Sequence, residues 1–570
     1  MKISVAKTAG FCFGVRRAVD MVLEVSHRTE KSIFTYGPLI HNPQVLAMLE
    51  EKKIYRLDTI PKKGSGIVFI RAHGVPPDDQ KALKDAGFTV INATCPRVVR
   101  VQMIIDKYSK KGYATIIAGD QKHPEVIGLL GYASVSGHAI TFPGDLAALP
   151  TFEKAVLVAQ TTQNTAFFSK VRTWCENNAP HYKIFDTICG STERRQNEIR
   201  NMAKINDAVV VFGGKQSGNT KRLAQIASEA GKPTTHIEDP EEIDFNILSN
   251  AKSIAFTAGA STPNWIINDA YRRIEKNLQK KHPIRNVLFT VREFLLKTNL
   301  LAAAGAGFLT HACTVLQGFE QNLNHPLIAM LYILSMQLIN HLFMVKSDKY
   351  NHPDRALLYQ NYQSYLWIMA LLSGATGLYL SMMEGGYSFI ILFFMSLLGL
   401  SYNLKIIPQI RNMGKITRIR DIPGSKTILI VLAWGTVTCL LPAVANQRYH
   451  MNFLPVFLFA TGLIFARTAF FDILAIQGDR ISGKETLPTL VGEAKSFKII
   501  QYVLIFDIIV IILSSLSNLL VKRALLFAFI PLIMLFLIKF FKKNSLASGV
   551  HREFMVESVL IVTGCLSTVI

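Results

Sequence analysis

The chain has 570 residues, more than one typical domain holds, and its 62 Lys+Arg against 40 Asp+Glu leave a net charge of +22. Much of that excess lies in loops between long apolar runs, where membrane topology accounts for it, so nucleic acid is not the expected partner. The seven cysteines are scattered, which argues against a disulfide framework and for an intracellular setting. The opening "MKISVAKTAG" lacks the apolar core of a signal peptide.

Residues 1 to about 295 show a βαβ rhythm. The runs "SGIVFIRAHG", "YATIIAGD", "KAVLVAQTT", "AVVVFGGKQSGN" and "SIAFTAGAS" are short, apolar and closed by Gly, Ser, Thr or His. That is the pattern of parallel strands whose C-terminal ends carry functional loops. Cys12, Cys95 and Cys189 sit in "GFCFGVRRAVD", "NATCPRVVRVQ" and "DTICGSTERRQNE", 83 and 94 residues apart. The spacing suggests three similar modules that each give one thiol to a common centre. Buried structural cysteines are the plain alternative. Zinc sites favour close CxxC pairs, which are absent. Three isolated thiolates suit an iron–sulfur cluster with one iron left without a protein ligand.

His41, His73 and His123 each lie at or just after a strand-like run, in "GPLIHNPQV", "IRAHGVPP" and "GDQKHPEVIG". With "QTTQN", "KQSGNTKRLA" and "GASTPNW" they form a phosphate-binding inventory of His, Thr, Ser, Asn and helix-start amides. There is no Walker loop and no GxGxxG, so a nucleotide is not expected. Glu125, two residues after His123, is the carboxylate placed to give a proton.

Together these motifs, with "ATCP" and "DTICGST.RRQ", resemble the hydroxymethylbutenyl diphosphate reductases of the LytB type over residues 1 to about 280. The resemblance implies a three-module, trefoil-like α/β fold around a [4Fe–4S] cluster held by Cys12, Cys95 and Cys189. It implies a diphosphate held by His41, His73, His123, Ser217, Asn219 and Ser261. Glu125 becomes the proton donor, and Thr161, with Thr162 beside it, positions the substrate alcohol. Ferredoxin or flavodoxin is the implied electron donor. Where the family usually reads Ser-Ser-Asn this chain has "SGN", so Gly218 removes one hydroxyl contact.

Beyond residue 295 nine apolar stretches read as spans, near 299–317, 326–345, 364–382, 385–403, 427–446, 452–472, 499–516, 524–540 and 556–570. Alternate loops carry 16 Lys/Arg against 3, which places the richer set, and the N-terminal half with it, in the cytoplasm of a bacterial-type inner membrane. The chain thus divides into an iron–sulfur domain at 1–282, a linker at 283–298 and an all-α polytopic membrane domain at 299–570.

Two charged clusters, "NHLFMVKSDKYNHPDR" and "ARTAFFDILAIQGDRISGKETLPTLVG", lie at the cytoplasmic ends of spans, where ionisable groups are functional candidates. Asp472 and Asp479 share a helix face, and clustered carboxylates there suit Mg2+ bridging a diphosphate. These residues resemble the UbiA-type prenyltransferases over roughly 290–570. The resemblance carries over Asn340, Asp348, Asp472 and Asp479, and Tyr402 and Lys405 from "SYNLKIIP". Two positions depart: Met344 and Ala475 stand where the family places acids, and methionine cannot replace a carboxylate toward Mg2+. Two readings follow for the whole chain. One is a reductase tethered to a prenyl-transferring membrane domain. The other is a membrane-anchored redox relay whose helices serve only as an anchor.

Overall fold

The computed structural model describes residues 2–248, 251–280, 283–402, 419, 422, 424–447, 451–543 and 550–569. The chain forms two compact units, Met1–Ile274 and Glu275–Ile570.

The first unit holds three sheets, each of four parallel strands. One is ordered Lys2–Val5, Ser253–Ala258, Ala208–Phe212, Thr234–Ile237, so the two ends of the unit share a sheet. The second runs Ile54–Leu57, Ile33–Tyr36, Ile67–Ile70, Thr89–Asn92. The third runs Gly137–Ile140, Ala114–Ala118, Ala155–Ala159, Lys183–Ile184. The five apolar runs noted in the sequence are all central strands. Helices cover both faces of such sheets, which is why these strands read as unbroken apolar runs. Val68, Ile117, Val156 and Val209 are buried, and each such side chain contributes roughly 1.5–3 kcal/mol. Edge strands such as Thr89–Asn92 are half-exposed and carry no comparable signal.

The second unit is helical. Among the described residues six helices are long and apolar enough to cross a membrane, or seven if the bent pair Pro283–Lys297 and Leu300–Leu316 is one span. Nine spans, as read from the sequence, are not seen among them. The pair bends by 74° at Asn299, whose φ of 60° breaks the helix. Gly386–Ser401, at 16 residues, is short for a span. Val550–Ser567 carries Arg552, Glu553 and Glu557, yet it packs into the bundle: Gly564 lies against Phe308, Gly305 against Leu560, and Glu557 pairs with buried Arg467. The stretch 283–298, read as a linker, is helical from Pro283 to Lys297. Ala306, Leu309, Trp434, Phe459 and Phe470 fill the bundle core. Large apolar side chains including Leu371, Leu372, Phe394 and Phe536 stay exposed, which suits a lipid-facing surface and not water.

Candidate active sites

The three sheets of the first unit deliver their loops to one centre with a repeated hydrogen bond. Cys12, Cys95 and Cys189 are each the N-cap of a helix, Phe13–Arg28, Pro96–Ser109 and Gly190–Ile205. Their amides donate to the carbonyls of Ala260, Ala72 and Thr161, at 3.0, 2.9 and 2.9 Å. Each acceptor lies two residues past the end of a central strand. A helix N-terminus favours a thiolate. Burial pushes the Cys95 thiol up, the amides of Arg97 and Val98 pull it down, and the Cys12 and Cys189 thiols lie in electrostatic reach.

The surroundings fit a three-thiolate centre. Gly14 leaves the space beside Cys95, since a Cβ there would come within 2.4 Å of Sγ. Arg195 is buried and donates to the carbonyls of Ala258 and Gly10 at 3.1 and 2.6 Å. Among the described residues it makes no carboxylate ion pair. Cys12, Glu198 and Cys189 are the anions in its reach, and Glu198 already accepts from Lys7 and Thr8. A buried cation needs a counter-charge, which a cluster held by Cys12 and Cys189 would supply beside Glu198. The sequence reading passed over Arg195, although it lay within the motif around Cys189; nothing in a lone "RR" says which arginine is buried.

The polar inventory also repeats. His41, His123 and Ser217 each lie five residues past a strand end, at Tyr36, Ala118 and Phe212. His73, Thr162 and Ser261 each lie three past Ile70, Ala159 and Ala258. Each sheet therefore contributes one residue of each kind. The three imidazoles meet: ring centroids are 4.7 Å apart for His41–His73, 5.5 Å for His73–His123 and 5.9 Å for His41–His123. Ser261 Oγ donates to His41 O at 3.0 Å and lies 3.4 Å from Ser217 Oγ. Asn42, His123 and Ser217 cap the helices Pro43–Glu51, Pro124–Leu130 and Gly218–Glu229, so three helix N-termini accompany these residues.

Burial lowers the pKa of all three histidines, that of His123 to about 4, and each also feels the cation Arg71. His123 Nδ1 accepts from the Glu125 amide at 3.1 Å, so in the neutral ring Nε2 carries the proton and is a donor. His41 Nε2, His73 Nδ1 and Asn219 Nδ2 are buried without a protein partner, at a cost of roughly 1–3 kcal/mol each. A triad of imidazoles with nitrogens within 4.8 Å could also grip a metal ion. The helix N-termini, Arg71 and Lys221 make the surroundings positive and favour an anion. A Cβ on Gly218 would sit 3.4 Å from His123 Nε2 and 3.8 Å from Thr162 Oγ1, so the departure from the family pattern falls inside this pocket.

Glu125 is buried against Thr161. The Thr161 amide donates to Oε1 at 2.6 Å, and the Thr161 hydroxyl lies 2.9 Å from Oε2. Burial raises the Glu125 pKa from 4.5 to about 7, against the opposing Thr161 hydrogen bonds. The Thr161 carbonyl accepts from the Cys189 amide, so one residue joins the acid to the thiol centre.

In the helical unit, Asp348 accepts from His341 Nδ1 at 2.7 Å and from Lys484 Nζ at 3.5 Å. Asp472 accepts from Lys426 Nζ at 2.5 Å and Thr427 Oγ1 at 3.1 Å. Asp479 Oδ1 accepts from Asn351 at 3.1 Å, while Oδ2 is buried with no partner. Gly478 makes room for that amide, since a Cβ would meet Asn351 Oδ1 at 2.0 Å. Lys426 lies in electrostatic reach of Asp472, Asp479 and Tyr402, and Lys484 in reach of Asp348 and Asp479, so the groups form one cluster. Asn340 and Met344 stand two turns and one turn before Asp348 on the helix Asn324–Asp348. Lys405 lies outside the described residues. His341, Arg355, Lys426 and Lys484 were not singled out from the sequence, because a counter-ion is recognised by proximity and not by type.

Residues 3–275 match the LytB protein family, and residues 298–556 the UbiA prenyltransferase family. The 4-hydroxy-3-methylbut-2-enyl diphosphate reductase of Alkaliphilus oremlandii is 41% identical over 276 residues, covering 48% of this chain and 99% of that protein. A solved (E)-4-hydroxy-3-methyl-but-2-enyl diphosphate reductase is 38% identical, with a TM-score of 0.39, over 48% of this chain and 99% of its own. A UbiA homolog from Archaeoglobus fulgidus bound to GPP and Mg2+ is 14% identical, with a TM-score of 0.36, over 48% of this chain and 99% of its own. The chain belongs to the LytB family of 4-hydroxy-3-methylbut-2-enyl diphosphate reductases through residues 3–275, joined to a UbiA-family unit over residues 298–556.

Proposed function

We propose that the first unit reduces 4-hydroxy-3-methylbut-2-enyl diphosphate to isopentenyl and dimethylallyl diphosphate. The observation that carries this is Glu125, a buried acid with a pKa of about 7, held by Thr161 whose carbonyl binds the Cys189 amide. A pure electron relay needs neither this acid nor the His/Ser/Asn pocket. A [4Fe–4S] cluster on Cys12, Cys95 and Cys189 supplies the two electrons when bound.

The chain's own residues do the rest. His41, His73, His123, Ser217, Asn219 and Ser261 hold the diphosphate, with Arg71 and Lys221 adding charge. The Thr161 hydroxyl orients the substrate alcohol and passes the Glu125 proton to it. The C–O bond breaks, a C–H bond forms, two electrons and two protons are consumed and water leaves. The electron donor is a small protein of the ferredoxin or flavodoxin class, suited by its acidity to a basic chain. In the helical unit the Asp348, Asp472 and Asp479 cluster with Tyr402 takes a prenyl diphosphate at the cytoplasmic membrane face. The test is an anaerobic assay on the full chain in detergent, with iron and sulfide reconstituted. Loss of the substrate hydroxyl with a chemical reductant supports the reading; an assembled cluster without turnover overturns it.

Two further results are expected. Gly218→Ser adds a hydroxyl between His123 and Thr162 without a clash. It should tighten substrate binding by about 1 kcal/mol, roughly fivefold in Kd; an unchanged Kd would place the diphosphate elsewhere. The histidines are held neutral by burial, and an anion beside them raises their pKa. Substrate binding near pH 6.5 should therefore take up protons, read by calorimetry in two buffers of different ionisation enthalpy.

A further inference from the structure

Most of the carboxylate oxygens in the aspartate cluster of the helical unit are already engaged. Asp348, Asp472 and Asp479 offer six oxygens, and five of them accept from His341, Lys484, Lys426, Thr427 or Asn351. The exception, Asp479 Oδ2, is buried without a partner. Mg2+ demands oxygen ligands in near-octahedral geometry. On the helix Asn324–Asp348, Met344 offers none, both oxygens of Asp348 are held, and Asn340 brings an uncharged amide oxygen in place of a carboxylate. The Arg355 guanidinium stands 3.3 Å from His341 Nε2 and so backs the His341–Asp348 pair.

Charge leads to the same place. Among the described residues, Lys426, Lys484 and Arg355 are the lysines and arginines in electrostatic reach of the three aspartates, one for each. A diphosphate of about three negative charges plus one divalent ion leaves a residual charge of about −1. Acids at positions 344 and 475, which this chain lacks, would add two negative charges and call for a second ion to reach the same balance.

We propose that the helical unit binds the diphosphate of its prenyl donor chiefly with fixed protein cations, Lys426, Lys484 and Arg355. It takes a single divalent ion, at Asp479. This rests on the reading of the helical unit as a prenyl-diphosphate site. Lys426 and Lys484 each bond to a carboxylate on one side and need only exchange or share that contact to meet a phosphate oxygen.

The experiment counts Mn2+ bound by the full chain in detergent, by electron paramagnetic resonance, with saturating uncleavable dimethylallyl thiolodiphosphate. Comparison with Asp479→Asn isolates the helical unit from any ion held by the first unit. The expected result is that Asp479→Asn loses one ion and Met344→Asp gains one. Lys484→Gln should weaken analogue binding to the helical unit at least tenfold at saturating Mn2+. Wild-type protein that already holds two ions sensitive to Asp479→Asn overturns the proposal, as does a Met344→Asp count equal to wild type. If Asp479→Asn fails to fold, the Met344→Asp count alone decides. If Asp479→Asn, Met344→Asp and Lys484→Gln all leave analogue and Mn2+ binding unchanged, the prenyl-diphosphate reading itself falls.

Discussion

Glu125→Gln is expected to lower kcat for the reductase reaction by about 10²–10⁴-fold, the usual contribution of a positioned general acid. The change keeps the shape of the side chain and its contact with the Thr161 amide, but it removes the transferable proton. The Glu125 carboxyl contacts Thr161 and no diphosphate ligand, and its backbone amide, which binds His123, is unchanged in the variant, so KM should change little and the visible absorption of the cluster should persist. Wild-type activity should fall as pH rises through about 7, because the acid must be protonated to act and its pKa is raised to that value by burial. The same shift links to stability. The folded-state pKa lies above the unfolded one, so the contribution is full below about pH 4.5 and is lost as pH rises through about 7. It amounts to about 3 kcal/mol. Glu125→Gln should flatten the dependence of Tm on pH across that window. Retained turnover in the variant would remove Glu125 from the chemistry.

Gly14→Ala is expected to abolish cluster assembly while leaving the fold intact. The added Cβ would lie 2.4 Å from Cys95 Sγ and 3.0 Å from its Cβ. Without iron the thiol escapes by rotating, and alanine suits a helix better than glycine by up to about 1 kcal/mol. The helix gain opposes the remaining 3.0 Å contact with the Cys95 Cβ, so the apo-protein should stay within about 1 kcal/mol of wild type. A thiolate bound to iron cannot rotate away, so iron content and visible absorption should drop to background, and turnover with them. A normally loaded Gly14→Ala protein would mean that Cys95 does not point to the shared centre. Loss of Tm in the apo-protein would instead make Gly14 a packing residue.

Much of the first unit was legible because its chemistry is carried by residue types that are rarely idle. Central parallel strands are buried on both faces, so Ile67–Ile70, Ala114–Ala118 and Ala208–Phe212 read as plain apolar runs. Edge strands such as Lys183–Ile184 share no such burial and went unseen. The cysteine spacing suggests three similar modules, but little else in the sequence shows the repeat, because what repeats is backbone position. His41, His123 and Ser217 occupy one place in the repeat, and His73, Thr162 and Ser261 another. A residue counted from the end of a strand leaves no mark until the strand end is known.

The helical unit shows the opposite balance. Apolar length identified most of its helices, but the span count depended on a left-handed residue at Asn299 and on the charges of the last helix. The roles of Lys426, Lys484 and His341 were hidden for a simple reason. Lys426 lies 46 residues from Asp472 and Lys484 lies 136 from Asp348, and Coulomb attraction acts through space at a few ångström.

Taken alone, the amino-acid order determined the class of each half, the thiols, imidazoles and acids available, and the losses at Met344, Ala475 and Gly218. Those follow from side-chain chemistry and local periodicity. Only the tertiary structure decided that Arg195 is buried in reach of Cys12 and Cys189, that Glu125 is shut away from water with Thr161, and that Asp348 and Asp472 of the helical unit are already met by lysines. Burial and proximity set the charge state of each of these groups, and both arise when distant segments pack.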